Sequence, residues 1–275
     1  MPHFTTSDDI RLHYTDDGAG TPILCLAGLT RDGRDFDYMA PHLDGVRLIR
    51  LDYRGRGGSQ HAPADTYTVM QEAQDALALL DHLQLSRSAI LGTSRGGLIA
   101  MALAMKAKSR LTGVCLNDVG PVIDPKGLQA IAGYLGKPPA WSSRAEAAIA
   151  LPAVRPAFRD VPATRWEAEA QRLFTETDTG LGLTYDPALR EAFDAATATP
   201  PAPDADPWAA FEALEDLPLA LIRGEGSNIL SQETAQEMRR RRPDMIYAEI
   251  SDRGHVPFLD EPDALVALRA WVARL

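Results

Sequence analysis

Five residues, Gly92-Thr93-Ser94-Arg95-Gly96, carry the clearest chemical content in the chain. A serine hydroxyl is a poor nucleophile until a base removes its proton and the backbone holds it exposed, and a sharp strand-to-helix turn does the second of these. Glycines two residues before and after the serine suit that turn, because side chains there would collide across it. Gly97 would then let the following helix approach the sheet. The pattern occurs once in the sequence. Its partner base is expected on a loop after a late strand, and His255 stands there in Asp252-Arg253-Gly254-His255. His3, His13, His42, His61 and His82 all fall in the first third of the chain, where a structural or exposed role is the ordinary one.

The surrounding pattern supplies elements that can hold these residues. Ser88 to Leu91 reads as a short buried strand leading to Ser94, and a helix is expected over Gly96 to Lys108. Upstream, Ile23-Leu24-Cys25-Leu26 and Val46 to Leu51 read as strands buried on both faces. Asp52 to Ser59 is too rich in glycine to continue regular structure, so Asp52 and Arg54 are read as stabilisers of a loop. From Val69, the spacing of Ala73, Ala76, Leu77, Leu80 and Leu83 predicts a helix, with Thr68 and Gln71 forming a capping box. Leu111 to Leu116 is a further strand, ending at Asn117-Asp118-Val119-Gly120-Pro121.

The texture then changes. Between Val122 and Phe211, alanine, proline and scattered aromatics replace the strand-helix alternation, which predicts a helical insertion closed by the proline-rich return Pro200 to Pro203. Alternation resumes with a strand over Leu217 to Arg223, a helix over Gln232 to Arg242, a strand over Met245 to Ile250 and a last helix from Ala264. Repeated strand-helix units imply an α/β protein with a mostly parallel sheet covered by helices on both faces. The expected division is a core of residues 1–121 and 212–275 and a helical cap of residues 122–211.

Composition limits the partners. A net charge of −10 over 275 residues argues against nucleic acid, and the basic run Arg239 to Arg242 falls at a helix end, where cations complement the macrodipole. No apolar run approaches the eighteen or so residues of a membrane span. The opening residues, Met1 to Asp9, have neither a basic nor an apolar signal region, so the expectation is no secretory signal and a cytoplasmic home. Cys25 and Cys115 lie in apolar strands and lack metal or redox spacing.

Over nearly its full length the chain resembles the α/β-hydrolase superfamily. The matching pieces are Leu26-Ala27-Gly28-Leu29, Asp52 to Ser59, Gly92 to Gly97 and Gly254-His255. The resemblance implies an oxyanion hole made of the backbone N–H groups of Leu29 and Arg95, with Gly28 as neighbour. Such donors meet charge as it develops on the carbonyl oxygen, and losing one costs about 3 kcal/mol. It also implies that the insertion caps Ser94, so that Trp141, Trp166 and Trp208 become candidate substrate contacts, although large aromatics in a small helical cap are more often its own core. Arg95 is open to two roles, meeting a substrate carboxylate or pairing with an acid of the protein.

The acid that should orient His255 has more than one candidate. The family's usual position, after the penultimate strand, holds Asn228, which cannot stabilise an imidazolium by charge and would be an altered acid. Some relatives take the acid from the end of the preceding strand, twenty-four residues after the nucleophile, which lands on Asp118. Glu225 and Asp252 are further alternatives. The implied activity is a cofactor-free, metal-free serine hydrolase of a small carboxylic ester, lactone or related acyl substrate. A carbon-carbon bond hydrolase of a vinylogous diketone uses the same constellation. A ligand-binding protein with a degenerate triad is the reading that Asn228 motivates.

Overall fold

The computed structural model describes residues 2–198 and 206–275. The return Pro200 to Pro203 therefore lies outside the described residues. Among the described residues there are ten strands: β1 (His3–Thr5), β2 (Arg11–Gly18), β3 (Thr21–Leu26), β4 (Val46–Leu51), β5 (Ser88–Thr93), β6 (Leu111–Asn117), β7 (Phe174–Thr177), β8 (Gly180–Leu183), β9 (Leu219–Gly224) and β10 (Ile246–Ile250). Eight of them form one sheet in the order β1-β2-β4-β3-β5-β6-β9-β10. β1 and β2 join antiparallel, and every pairing from β4 to β10 is parallel.

The central strands are apolar at nearly every position because both faces are covered, and their period-two alternation divides them between two cores. Leu24 and Leu26 of β3, Ile90 of β5 and Leu219 and Leu221 of β9 face the core built with helices α1 (Val69–His82) and α2 (Arg95–Ala107). Ile23 and Cys25, Ala89 and Leu91, and Ala220 and Ile222 face the other core. That second core is closed by α9 (Pro262–Val272), whose Trp271 is fully buried, and by a short turn carrying Phe36 and Met39. Burial pushes the Cys25 thiol up to about 12, so it acts there as a small hydrophobe. Thr68 caps α1 by accepting from the backbone N–H of Gln71, but the Gln71 amide turns to Asp75 and the reciprocal half of the capping box is not made.

Between β6 and β9 the chain leaves the sheet. This stretch holds α3 (Pro125–Tyr134), α4 (Arg144–Val154), α5 (Ala163–Leu173), α6 (Leu189–Ala198) and the short α7 (Ala209–Glu212). It also holds the antiparallel hairpin β7-β8, so it is not purely helical. Ala147, Leu151, Phe158, Trp166, Ala170 and Leu181 form its own small core. Phe211 and Leu214, by contrast, are buried in the main core beside α2, where the chain has already rejoined the sheet. After β9, α8 (Gln232–Arg241) packs Ala235 and Met238 on the face that α2 covers. Among the described residues no helix is long and apolar enough to cross a membrane.

Candidate active site

Ser94 sits between the end of β5 and the first residue of α2, at φ 51° and ψ −112°. This backbone conformation is sterically unfavourable for a residue with a Cβ and persists only where the surroundings impose it. Here they do. A methyl group on Gly92 would stand 2.5 Å from the Gly96 carbonyl across the turn, as the sequence reading expects. One on Gly96 would stand 2.0 Å from the carbonyl oxygen of Leu26, so that glycine admits the neighbouring strand β3 rather than the other side of the turn. One on Gly97 would stand 2.3 Å from Val119, which keeps α2 close to the sheet.

The strands on either side deliver the partners. His255 follows β10, and its Nε2 lies 2.8 Å from Ser94 Oγ while its Nδ1 lies 2.8 Å from Asp118 Oδ2. Asp118 comes directly after β6, is fully buried, and has φ 59°, a left-handed conformation that aspartate tolerates better than most residues. Its second oxygen accepts from the backbone N–H of Gly224, at the end of β9. The carboxylate is thus fixed at both oxygens. Asn228 is exposed beyond β9 and lines the cavity over Ser94, and the imidazole nitrogen it would have to serve is taken by Asp118. Glu225 and Asp252 are engaged elsewhere, both facing Arg159.

The loop after β3 passes beside the serine. A methyl group on Gly28 would stand 4.0 Å from Ser94 Cβ, so the Gly28-Leu29 backbone borders the hydroxyl. The N–H of Arg95 begins α2, where no intrahelical acceptor exists for it. The loop is held from below. Arg56 Nε donates to the Leu29 carbonyl, Tyr53 Oη donates to the Ala27 carbonyl, and the Gly96 N–H donates to that same Ala27 oxygen. Arg56 also faces Glu72 at 2.9 Å, and Glu72 in turn accepts from Arg95 Nε. Arg95 Nη2 donates to the Tyr67 carbonyl, so its side chain is consumed inside the protein rather than offered to a substrate. Asp52 accepts from the N–H groups of Gly33 and Gly58 and stabilises its loop as expected.

A cavity of about 650 Å³ opens above Ser94 and His255, within the 300–1,000 Å³ usual for small-molecule sites. Gly28, Leu29, Trp141, Phe174 and Phe258 line it. Of the three candidate tryptophans, only Trp141 is there, packed edge-on against Phe174 with ring centres 5.7 Å apart. Trp166 is a correction: it is buried in the insertion's own core against Phe158. Trp208 is a second correction, since it packs on the main core beside Phe211 and lies under the Arg241 guanidinium, 4.2 Å from its ring centre. In both cases an apolar ring found a nearer surface to bury than the cavity wall.

Residues 23–268 match the model of the alpha/beta hydrolase family. The chain belongs to that family. It is 38% identical over 258 residues to the 3-hydroxybutyrate-oligomer hydrolase of Cupriavidus necator, covering 91% of this chain and 88% of that one. An alpha/beta hydrolase of Novosphingobium aromaticivorans superposes with a TM-score of 0.91 at 36% identity, covering 100% of this chain and 98% of that one. E-2-(acetamidomethylene)succinate hydrolase superposes with a TM-score of 0.81 at 22% identity over 96% of each chain, a likeness of fold alone.

In this hydrolase, then, the fold brings Ser94, His255, Asp118, Gly28, Leu29, Arg95 and Trp141 around one point and leaves Trp166 and Trp208 away from it. Sequence reasoning missed the cavity's charged wall. Arg31, Asp35, Arg155 and Glu169 all line it. Arg31 had a signal, standing two residues after Leu29, whereas Arg155 and Glu169 come from the insertion, whose docking no local pattern specifies. Asn117 was also missed: its amide donates to Thr93 Oγ1 and to the Pro257 carbonyl, tying the serine strand to the histidine loop.

Proposed function

We propose that this hydrolase cleaves esters of short hydroxyacid oligomers through an acyl-enzyme on Ser94. The observation that carries the reading is the unbroken relay from Ser94 Oγ to His255 Nε2 and from His255 Nδ1 to Asp118, at the floor of the cavity. Likeness to a 3-hydroxybutyrate-oligomer hydrolase supports the substrate class.

In the proposed cycle, Ser94 Oγ attacks the ester carbonyl while His255 Nε2 takes its proton. Asp118 holds the proton on Nδ1 and balances the charge of the imidazolium that forms. The N–H groups of Arg95 and Leu29 receive the oxyanion. Collapse of the tetrahedral intermediate expels the alcohol half, which leaves with the proton from Nε2. Water then repeats the sequence on the acyl-enzyme and returns Ser94 and the free acid. The binding-protein alternative rested on a missing acid at position 228. The 2.8 Å contact of Asp118 with the imidazole supports the catalytic reading instead.

The test is incubation with dimers and trimers of 3-hydroxybutyrate, with monomer measured by chromatography. Wild-type protein should release monomer and Ser94→Ala should release essentially none. Equal release by both would overturn the reading.

A further inference from the structure

The charged wall of the cavity is unusual for a chain of net charge −10. Three cations, Arg31, Lys137 and Arg155, line it against two carboxylates, Asp35 and Glu169. Arg31 lies against the oxyanion loop, its Cγ 3.4 Å from where a methyl on Gly28 would stand. Its Nε and Nη2 bond Asp35, and Nη2 also reaches Glu169 at 3.0 Å. Nη1 is buried and has no hydrogen-bond partner among the described residues. Arg155, at the end of α4, stands 3.7 Å from Glu169, too far for a direct hydrogen bond. Partial burial first, and then Arg31 beside it, hold the Arg155 guanidinium below its ordinary value against the pull of Glu169. Two guanidinium groups thus share one carboxylate in the wall of the cavity that holds Ser94. Apart from them the wall is largely apolar, with Trp141, Leu151, Leu173 and Phe174. A buried donor without an acceptor is unfavourable, and a substrate anion would supply the acceptor.

We propose that Arg31 and Arg155 form a carboxylate subsite, so that this hydrolase selects esters carrying an anionic carboxylate a few bonds from the scissile carbonyl. The alcohol half of a linear hydroxyacid dimer has that form. Selection rests on the ester-hydrolase reading above and narrows its substrates from esters in general to acidic ones. An arginine clamp suits the task because its planar fork matches both oxygens of a carboxylate. The bulky aromatics beside it limit what else can enter.

Two substrates separate this proposal from the reading it rests on: a 3-hydroxybutyrate dimer with its terminal carboxylate, and the same dimer as a terminal carboxamide. Wild-type kcat/KM should favour the acid about ten- to a hundredfold, the worth of a charge-assisted hydrogen bond or two. Arg155→Met and Arg31→Met should each bring that ratio most of the way to one. Since both substrates are read on one preparation, any loss of folded protein cancels. A wild-type ratio near one, or a ratio unchanged in both variants, overturns the subsite while leaving the ester reading intact. If neither dimer is cleaved, the ester reading falls, and the subsite is judged by calorimetry of 3-hydroxybutyrate binding to Ser94→Ala. Binding at least tenfold weaker in Ser94→Ala with Arg155→Met supports the subsite, and equal binding overturns it.

Discussion

Two carboxylates in this hydrolase each lie between two arginines, and their surroundings give them opposite consequences. Glu72 of α1 joins Arg56 and Arg95 beneath the Gly28-Leu29 loop. Glu169 of α5 joins Arg31 and Arg155 in the cavity wall. Each group leaves one buried guanidinium nitrogen without a hydrogen-bond partner among the described residues, Nη2 of Arg56 and Nη1 of Arg31. The difference is what lies beside each group. Arg56, Glu72 and Arg95 are absent from the cavity lining, and Arg56 is sealed between the rings of Tyr53 and Tyr67, each centred 5.4 Å away. Burial pushes its guanidinium below the ordinary value. Arg31 and Arg155 border empty space large enough for a substrate. The same ionic chemistry therefore acts as scaffold where it is enclosed and as a recognition surface where it meets a cavity.

Predictions that break or sharpen this contrast run from catalysis to the surface. The largest effect lies outside both groups: Asp118→Asn should lower kcat about 10⁴-fold, as expected when the imidazole loses its charged partner, while Asn228→Asp should change it only a few-fold. Steady-state turnover on a chromogenic ester measures both, and a large gain from Asn228→Asp with no loss from Asp118→Asn would remove Asp118 from the relay. Next, Glu72→Gln leaves two buried arginines without their counter-charge and should destabilise the fold by about 3–5 kcal/mol in urea unfolding. The folded remainder should keep its preference between acidic and neutral substrates; a lost preference would erase the distinction between the two groups. Arg155→Met, at a partly exposed site, should cost under about 1 kcal/mol of stability by the same measurement. The smallest effect belongs to the half-buried surface residue Glu237, which Arg240 and Arg241 hold down at about 2. Its pairs favour the folded state above the ordinary carboxyl value and lose that contribution as pH falls towards 2. Glu237→Gln should leave the neutral-pH melting temperature nearly unchanged and slightly flatten its decline below pH 5.

What was legible in the sequence follows the range of the forces involved. Strands β3, β4, β5 and β6 announce themselves because a sheet covered on both faces needs mostly apolar runs, and the serine turn because only glycine fits at three of its positions. Asp118 was legible as one of several acids; choosing among them requires knowing that the end of β6 lies beside the loop after β10. The hairpin β7-β8 was not legible, since Gly180-Leu181-Gly182-Leu183 has little strand propensity and is held by its pairing with Phe174–Thr177. The fates of Trp166 and Trp208 were equally hidden, because the same aromatic ring serves a small core or a cavity wall according to which surface docks against it.

Trapping the proposed acyl position tests the central claim most directly. A fluorophosphonate ester should phosphonylate the hydroxyl of Ser94 alone, seen by mass spectrometry on the peptide Ser88 to Arg95, with ester hydrolysis falling in step with labelling. Full hydrolysis by protein labelled at Ser94, or by Ser94→Ala, would contradict the account.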